Sequence, residues 1–125
     1  MYDLKFKRIY EPVSEEDGFR ILIDRLWPRG VSKEKADVDH WAKGLTPSEK
    51  LRKDYHQERI DHDTFAARYR KELSELEKAE DGDIADVRVI KDKLAEGPVT
   101  CLTAVKNVAG SHVPTLEDFL RKKLS

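Results

Sequence analysis

The chain has 125 residues, 39% of them charged, yet its 24 basic and 25 acidic residues leave a formal net charge of −1. That length suits a single domain with a real hydrophobic core and no need of disulfide staples. The balanced charge excludes a global field that would draw in nucleic acid or anionic lipid, so any basic site has to be local.

One cysteine, Cys101, excludes an intramolecular disulfide and a multi-cysteine zinc site. The start, Met1-Tyr2-Asp3-Leu4-Lys5, lacks the apolar core of a signal peptide, and no later run approaches about 18 apolar residues. A soluble, cytoplasmic protein with no membrane association is the expectation. No internal repeat, low-complexity tract or linker divides the sequence, so 1–125 reads as one domain.

Leu4-Lys5-Phe6-Lys7-Arg8-Ile9-Tyr10 alternates apolar and basic residues, the period of a strand with one exposed face at or near a sheet edge. Glu11-Pro12 ends it, and Ser14-Glu15-Glu16-Asp17-Gly18 is a polar turn. The second strand, residues 19–26, is apolar at the consecutive positions Ile21, Leu22 and Ile23, as a strand covered on both faces requires. Trp27-Pro28-Arg29-Gly30 then breaks regular structure. Ser32 caps a short turn through Lys35, and Val38, Trp41 and Leu45 are spaced for a short helix or an irregular loop packed under Trp41.

Thr46-Pro47-Ser48-Glu49 has the form of a capping box, with Thr46 as cap and a helix running to about Tyr55. After a polar loop, Asp61 or Asp63 caps the longest helix, 64–79, with the stripe Phe65, Tyr69, Leu73 and Leu76. Ile84, Val87, Ile90 and Leu94 line another helix that ends at Gly97. The third strand is 99–105, and a final helix starts at Val113 or Pro114 with Leu116, Phe119 and Leu120 inward. The order β-β-α-α-α-α-β-α predicts a single α/β domain with a small, mostly parallel sheet of about three strands covered by helices.

The chain carries no phosphate-binding P-loop, paired-glycine dinucleotide motif, nucleophile elbow or histidine–glutamate zinc helix. Nor does it offer a basic recognition helix in a helix-turn-helix setting, which disfavours a transcription factor. The loop 54–63 collects carboxylates with His56 and His62, but its spacing fits no established metal-ligand pattern, and no metal or other cofactor is expected. Cys101, in mid-strand among apolar residues, reads as an inert core thiol.

Several runs together resemble one family. They are Lys7-Arg8-Ile9-Tyr10, the unbroken stretch 17–30 with Lys33, Trp41, Thr46-Pro47-Ser48 with Leu51-Arg52, and Phe65 with Arg68-Tyr69 and Glu72-Leu73. The chain resembles, nearly end to end, the YeaO-like branch of the domain of unknown function 488 family, and Asp24-Arg25-Leu26-Trp27-Pro28-Arg29-Gly30 is its most specific block. The resemblance implies a small α/β domain whose signature is the loop after the second strand. It implies no particular reaction. The family commonly reads Tyr-Ala-Ala-Lys-Asp and then Asn-His-Ala in the last loop, where this chain has Thr103-Ala104-Val105-Lys106-Asn107 and Ser111-His112-Val113.

Ligands of open α/β sheets bind outside the carboxyl ends of the strands. If the second and third strands are parallel neighbours, one edge gathers Asp24, Arg25, Trp27, Arg29 and Lys33 from one loop and Lys106, Ser111 and His112 from the other. Arginine's planar fork suits phosphate or carboxylate, and the amides at the start of the final helix favour an anion. Asp24 and His112 are the candidates for proton transfer. Asp24 reads equally as a brace paired with Arg25, Arg29 or Arg68, Trp27 as a packing lid or a stacking platform, and His112 as a helix-start residue bonded to backbone. The expectation is a small enzyme acting on an anionic, phosphorylated or nucleotide-like metabolite in a cleft between the two loops. The alternative is a non-catalytic module recognising an anion or a partner, with nucleic-acid binding behind both.

Overall fold

Val99-Thr100-Cys101-Leu102-Thr103 offers no charged residue, and each of its five side chains is buried. Such a strand has to lie inside a sheet. In the computed structural model, which describes residues 3–125, it is β4 (Val99–Thr103). It pairs in parallel with β1 (Leu4–Arg8) on one side and β2 (Phe19–Leu22) on the other. A fourth strand, β3 (His40–Trp41), pairs in parallel with β2, so the order is β1-β4-β2-β3. Met1 and Tyr2, the start of the segment read for a signal peptide, lie outside the described residues.

Alternate residues of the strands serve two cores. Leu4, Ile21, Ile23, Val99 and Cys101 face the larger one, which is completed by Phe65, Tyr69 and Leu73 of α3 (His62–Ala79), Val87 and Ile90 of α4 (Ala85–Glu96), and Leu116 and Leu120 of α5 (Val113–Leu124). Leu22 and Leu102 face the other way, onto Ile9 and onto Ala36 of α1 (Lys33–Ala36), with Trp27 and Trp41 packed against them. The consecutive aliphatic run of the second strand thus reflects cover on both faces. Burial pushes the Cys101 thiol up to about 12, in keeping with an inert side chain.

Three of the boundaries that differ from those the sequence suggests have a clear physical cause. Trp41 belongs to β3 and not to a helix or loop, because two residues carry no readable period and become a strand only through Ile21 and Leu22 of β2. The second strand stops at Leu22, since Ile23 still donates to Leu102 O at 3.0 Å but the Asp24 side chain then takes over from the backbone. The helix expected from Thr46 is α2 (Glu49–His56), capped by Ser48, whose Oγ accepts from Leu51 N at 3.2 Å. Thr46 instead donates its hydroxyl to Lys43 O, and Glu72 of α3 accepts from both Ser48 N and Ser48 Oγ at 2.8 and 2.6 Å. A tertiary carboxylate replaces the local partner of the expected box.

A buried charge network ties the amino end of β2. Arg20 and Asp17 are 2% and 4% exposed, and the Arg20 guanidinium donates to Asp17, to Ala36 O at 2.9 Å and to Asp37 O at 3.1 Å. Lys7 of β1 reaches the same carboxylate at 3.0 Å. Beside it Gly18 has φ +64°, and an added Cβ there would lie 2.1 Å from Pro98 O, so only glycine fits this turn.

Burial alone would push the Asp17 carboxyl up, but the Ser14 amide, Lys7 and Arg20 together hold it below the ordinary carboxylate range. Its contribution to stability is therefore complete above the unfolded-state value and is lost as pH falls through the lower folded one. The urea midpoint is expected to fall as pH drops below about 4. Asp17→Asn is expected to flatten that fall and to cost about 3 kcal/mol at neutral pH, because Arg20 is left buried without its counter-charge.

Candidate functional site

Because β2 and β4 are parallel neighbours, the chain leaves both at the same edge of the sheet. Asp24 stands at the first exit, 9% exposed, with its two oxygens directed at the second. Oδ1 accepts from Thr103 Oγ1 at 2.7 Å and Oδ2 from Ala104 N at 2.8 Å, and the Asp24 carbonyl accepts from Trp41 Nε1 at 2.6 Å. The carboxylate thus continues the β2–β4 ladder with a side chain where backbone pairing has ended. Its bonded partners are thus a threonine and an amide, and not Arg25, Arg29 or Arg68.

His112 is 8% exposed and is the residue at which α5 begins. Its Nε2 lies 2.8 Å from Ile23 O and 3.4 Å from Asp24 Oδ1. A carbonyl can only accept, so Nε2 carries the hydrogen, and the ring is pinned to the end of β2. Ser111 is buried too. Its hydroxyl donates to Val108 O at 2.7 Å and accepts from Val113 N at 3.1 Å. With Pro114 contributing no N–H and Val113 N already bonded, the start of α5 has few free amides to offer an anion, contrary to the expectation from sequence.

The remaining candidates lie outside this bonded layer. Arg25 is half-buried, its Nη1 3.4 Å from Pro47 O. Trp27 donates its indole N–H to Val31 O at 2.7 Å and meets Trp41 edge-on at 5.6 Å, which makes it the lid of the smaller core. Arg29 is exposed, its carbonyl 3.4 Å from the Tyr10 hydroxyl, and Lys106 is exposed in the loop after β4. Lys33 is exposed at the start of α1, a helix that leads back to Arg20 at the amino end of β2. The structure therefore gathers Asp24 and His112 at the end of β2, with Ser111 bonded locally beside His112, and leaves the cations outside.

Sequence reading missed several participants. Thr103 was part of a strand and nothing more, yet it bridges Asp24 and, at 3.3 Å, Val105 N. Tyr55 and His62 secure the loop after β4 from α2 and α3, through Gly110 O at 2.6 Å and Ser111 O at 3.1 Å. Tyr69 packs 6.3 Å from the His112 ring, and its hydroxyl donates to Leu45 O. Burial, then the charges of Glu72 and Asp24, push that phenol well above its usual value. None of these partners is near in sequence, so no spacing signals them. Among the described residues no group of three or more His, Cys, Asp or Glu is placed to hold a metal ion, and no helix is long and apolar enough to cross a membrane.

Fold and site together define a small parallel α/β domain whose strand exits are clasped by an aspartate and a histidine. The chain belongs to the DUF488 family: residues 3–125 match the family model described as the inactive DUF488-N3 subclade. It is 40% identical to uncharacterized protein YeaO of Escherichia coli (strain K12) over 119 residues, 95% of this chain and 97% of that protein. It is also 35% identical over 117 residues to uncharacterized protein Rv3073c of Mycobacterium tuberculosis (strain ATCC 25618 / H37Rv), covering 94% of this chain and 92% of the relative. No solved structure gives a significant match.

If the Asp24 clasp holds the exits together, Thr103→Val and Asp24→Ala are each expected to lower the unfolding free energy by about 1–3 kcal/mol in urea titrations, since each strands a buried polar group. The double variant is expected to fall short of the sum by roughly 1 kcal/mol, because both substitutions remove the same bond. Strict additivity would show that the two side chains act independently.

Proposed function

We propose that this protein is a non-catalytic recognition module that binds an anionic ligand, a phosphorylated or nucleotide-like molecule, at the carboxyl edge of its sheet. The observation that carries this reading is the commitment of both acid–base candidates to the scaffold. Asp24 accepts from Thr103 and Ala104 with its two oxygens, and His112 donates from Nε2 to Ile23 O. A general acid or base has to reach a substrate proton within hydrogen-bond distance, and these bonds turn both groups toward the protein. Exposed Arg29 and Lys106, and half-buried Arg25, are left to meet an anion. The family's description as an inactive subclade points the same way.

A small enzyme using the same edge is the second reading, favoured by one contact. Asp24 Oδ1 stands 3.4 Å from His112 Nε2, and a ring that carries its hydrogen on Nε2 keeps a free lone pair on Nδ1 for use as a base.

A thermal-shift screen of phosphorylated metabolites separates these readings from no binding at all. A ligand at about a hundred times its Kd is expected to raise Tm by roughly 10 °C in the wild type. Arg29→Ala is expected to shrink that shift, and the stabilising compound is expected to remain chemically unchanged. Turnover abolished by His112→Ala, in a variant that still unfolds cooperatively, would replace the module with the enzyme. A screen with no stabilising anion would end both.

A further inference from the structure

Tyr10 is 50% exposed, the one aromatic among the exposed large apolar side chains of the described residues. A single exposed apolar residue is ordinary. What sets Tyr10 apart is how it is held.

Because β1 is parallel to β4, its chain leaves the sheet at the same edge as β2 and β4, with Arg8 opposite Thr103. Arg8 turns its guanidinium onto the loop after β4, where Nε donates to Val105 O at 3.0 Å and Nη2 to Ala104 O at 3.4 Å. The same guanidinium lies over the Tyr10 ring, 5.2 Å from its centroid. Glu11, the neighbouring carboxylate, is turned back to accept from Arg8 N at 2.9 Å. On its other side the Tyr10 hydroxyl donates to Arg29 O at 3.4 Å, in the loop after β2.

The ring is therefore tied to a cation that grips one strand-exit loop and to the backbone of the other. Arg29 itself, and Lys106 next to Val105, carry the exposed charges of those two loops. An open aromatic thus stands where three strand exits meet, beside the basic groups left to meet an anion. A sugar phosphate or an inorganic anion would use the cations and gain nothing from the ring. A nucleotide would use both, because every base has a π-face that stacks on an aromatic side chain.

We infer that Tyr10 is the platform on which a nucleotide stacks its base while Arg29 and Lys106 meet its phosphate. The ligand class is a free nucleotide and not a nucleic-acid strand, since a net charge of −1 supplies no field for a polyanion. This inference rests on the anion-binding reading above and adds to it the base and the residue that receives it.

Adenosine 5′-monophosphate and ribose 5-phosphate, titrated into the full chain by calorimetry, share the sugar and the phosphate and differ in the base. The nucleotide is expected to bind about tenfold more tightly. Tyr10→Leu is expected to erase that difference and Tyr10→Phe to keep it, because the ring and not the hydroxyl makes the stack. In the wild type, the Tyr10 ring-proton resonances are expected to shift upfield with the nucleotide and to stay in place with ribose 5-phosphate. That readout needs no variant, so a poorly folded Tyr10→Leu protein cannot decide the matter. Equal affinities in the wild type, a difference that survives Tyr10→Leu, or unmoved ring resonances overturn the platform while the anion-binding module stands. An oligoadenylate that binds more tightly per site than the mononucleotide overturns the free nucleotide in favour of a strand. If neither probe binds while other phosphorylated compounds still stabilise the protein, Tyr10 alone is removed. No anion binding by any measure removes the module itself.

Discussion

The pairing of β4 between β1 and β2 is the constraint from which the rest of this structure follows. A five-residue strand without a charge can be buried on both faces and both edges, and a parallel arrangement forces its neighbours to leave the sheet at the same end. Two loops that lie some eighty residues apart in sequence, as Asp24 and Ala104 do, thereby meet. Where the ladder runs out, Asp24 extends it by one further step. A charged side chain does what a backbone carbonyl would otherwise do, and its second oxygen anchors Thr103.

Three kinds of charge coexist in so small a domain. At the amino end of β2, Arg20 and Asp17 are sealed in and fully bonded, and they link the first strand, the second strand and the end of α1. At the carboxyl end, Asp24 and His112 are also enclosed, and each bonds to neutral groups. Beyond that layer stand exposed Arg29 and Lys106 and half-buried Arg25. The distinction between a charge that holds the fold and a charge that is left over is what directs attention away from the acid–base pair and toward the arginines.

Asp24 shows how a residue's bonding partner can be misjudged from sequence. A carboxylate at the end of an apolar strand, in a chain rich in arginine, suggests an ion pair. In the folded protein it is the nearest unpaired amide and hydroxyl across the sheet that claim it, because β4 brings them within 2.8 Å and no arginine gets closer. The cap of α2 is a similar case. Thr46 and Glu49 have the right spacing for a local box, yet Ser48 caps the helix and Glu72, from another helix, completes the arrangement.

By itself the sequence determined the layered α/β class, four of the five helices to within a few residues, the buried character of the second strand and of β4, and the edge position of β1. Each of these is written in hydrophobic period, turn residues and local caps, which depend on neighbours along the chain. It also singled out the loop after β2 and the residues His112 and Lys106 as belonging to one edge, on the condition that the strands be parallel. Tertiary structure alone decided that β3 exists, that Asp24 bonds to Thr103 and Ala104, that the start of α5 is closed by Ser111, and that the Nε of Arg52 on α2 is buried. The physical reason is common to all four. A hydrogen bond between residues far apart in sequence is set by which elements pack together, and two residues of a strand or one nitrogen of an arginine carry no period of their own to announce it.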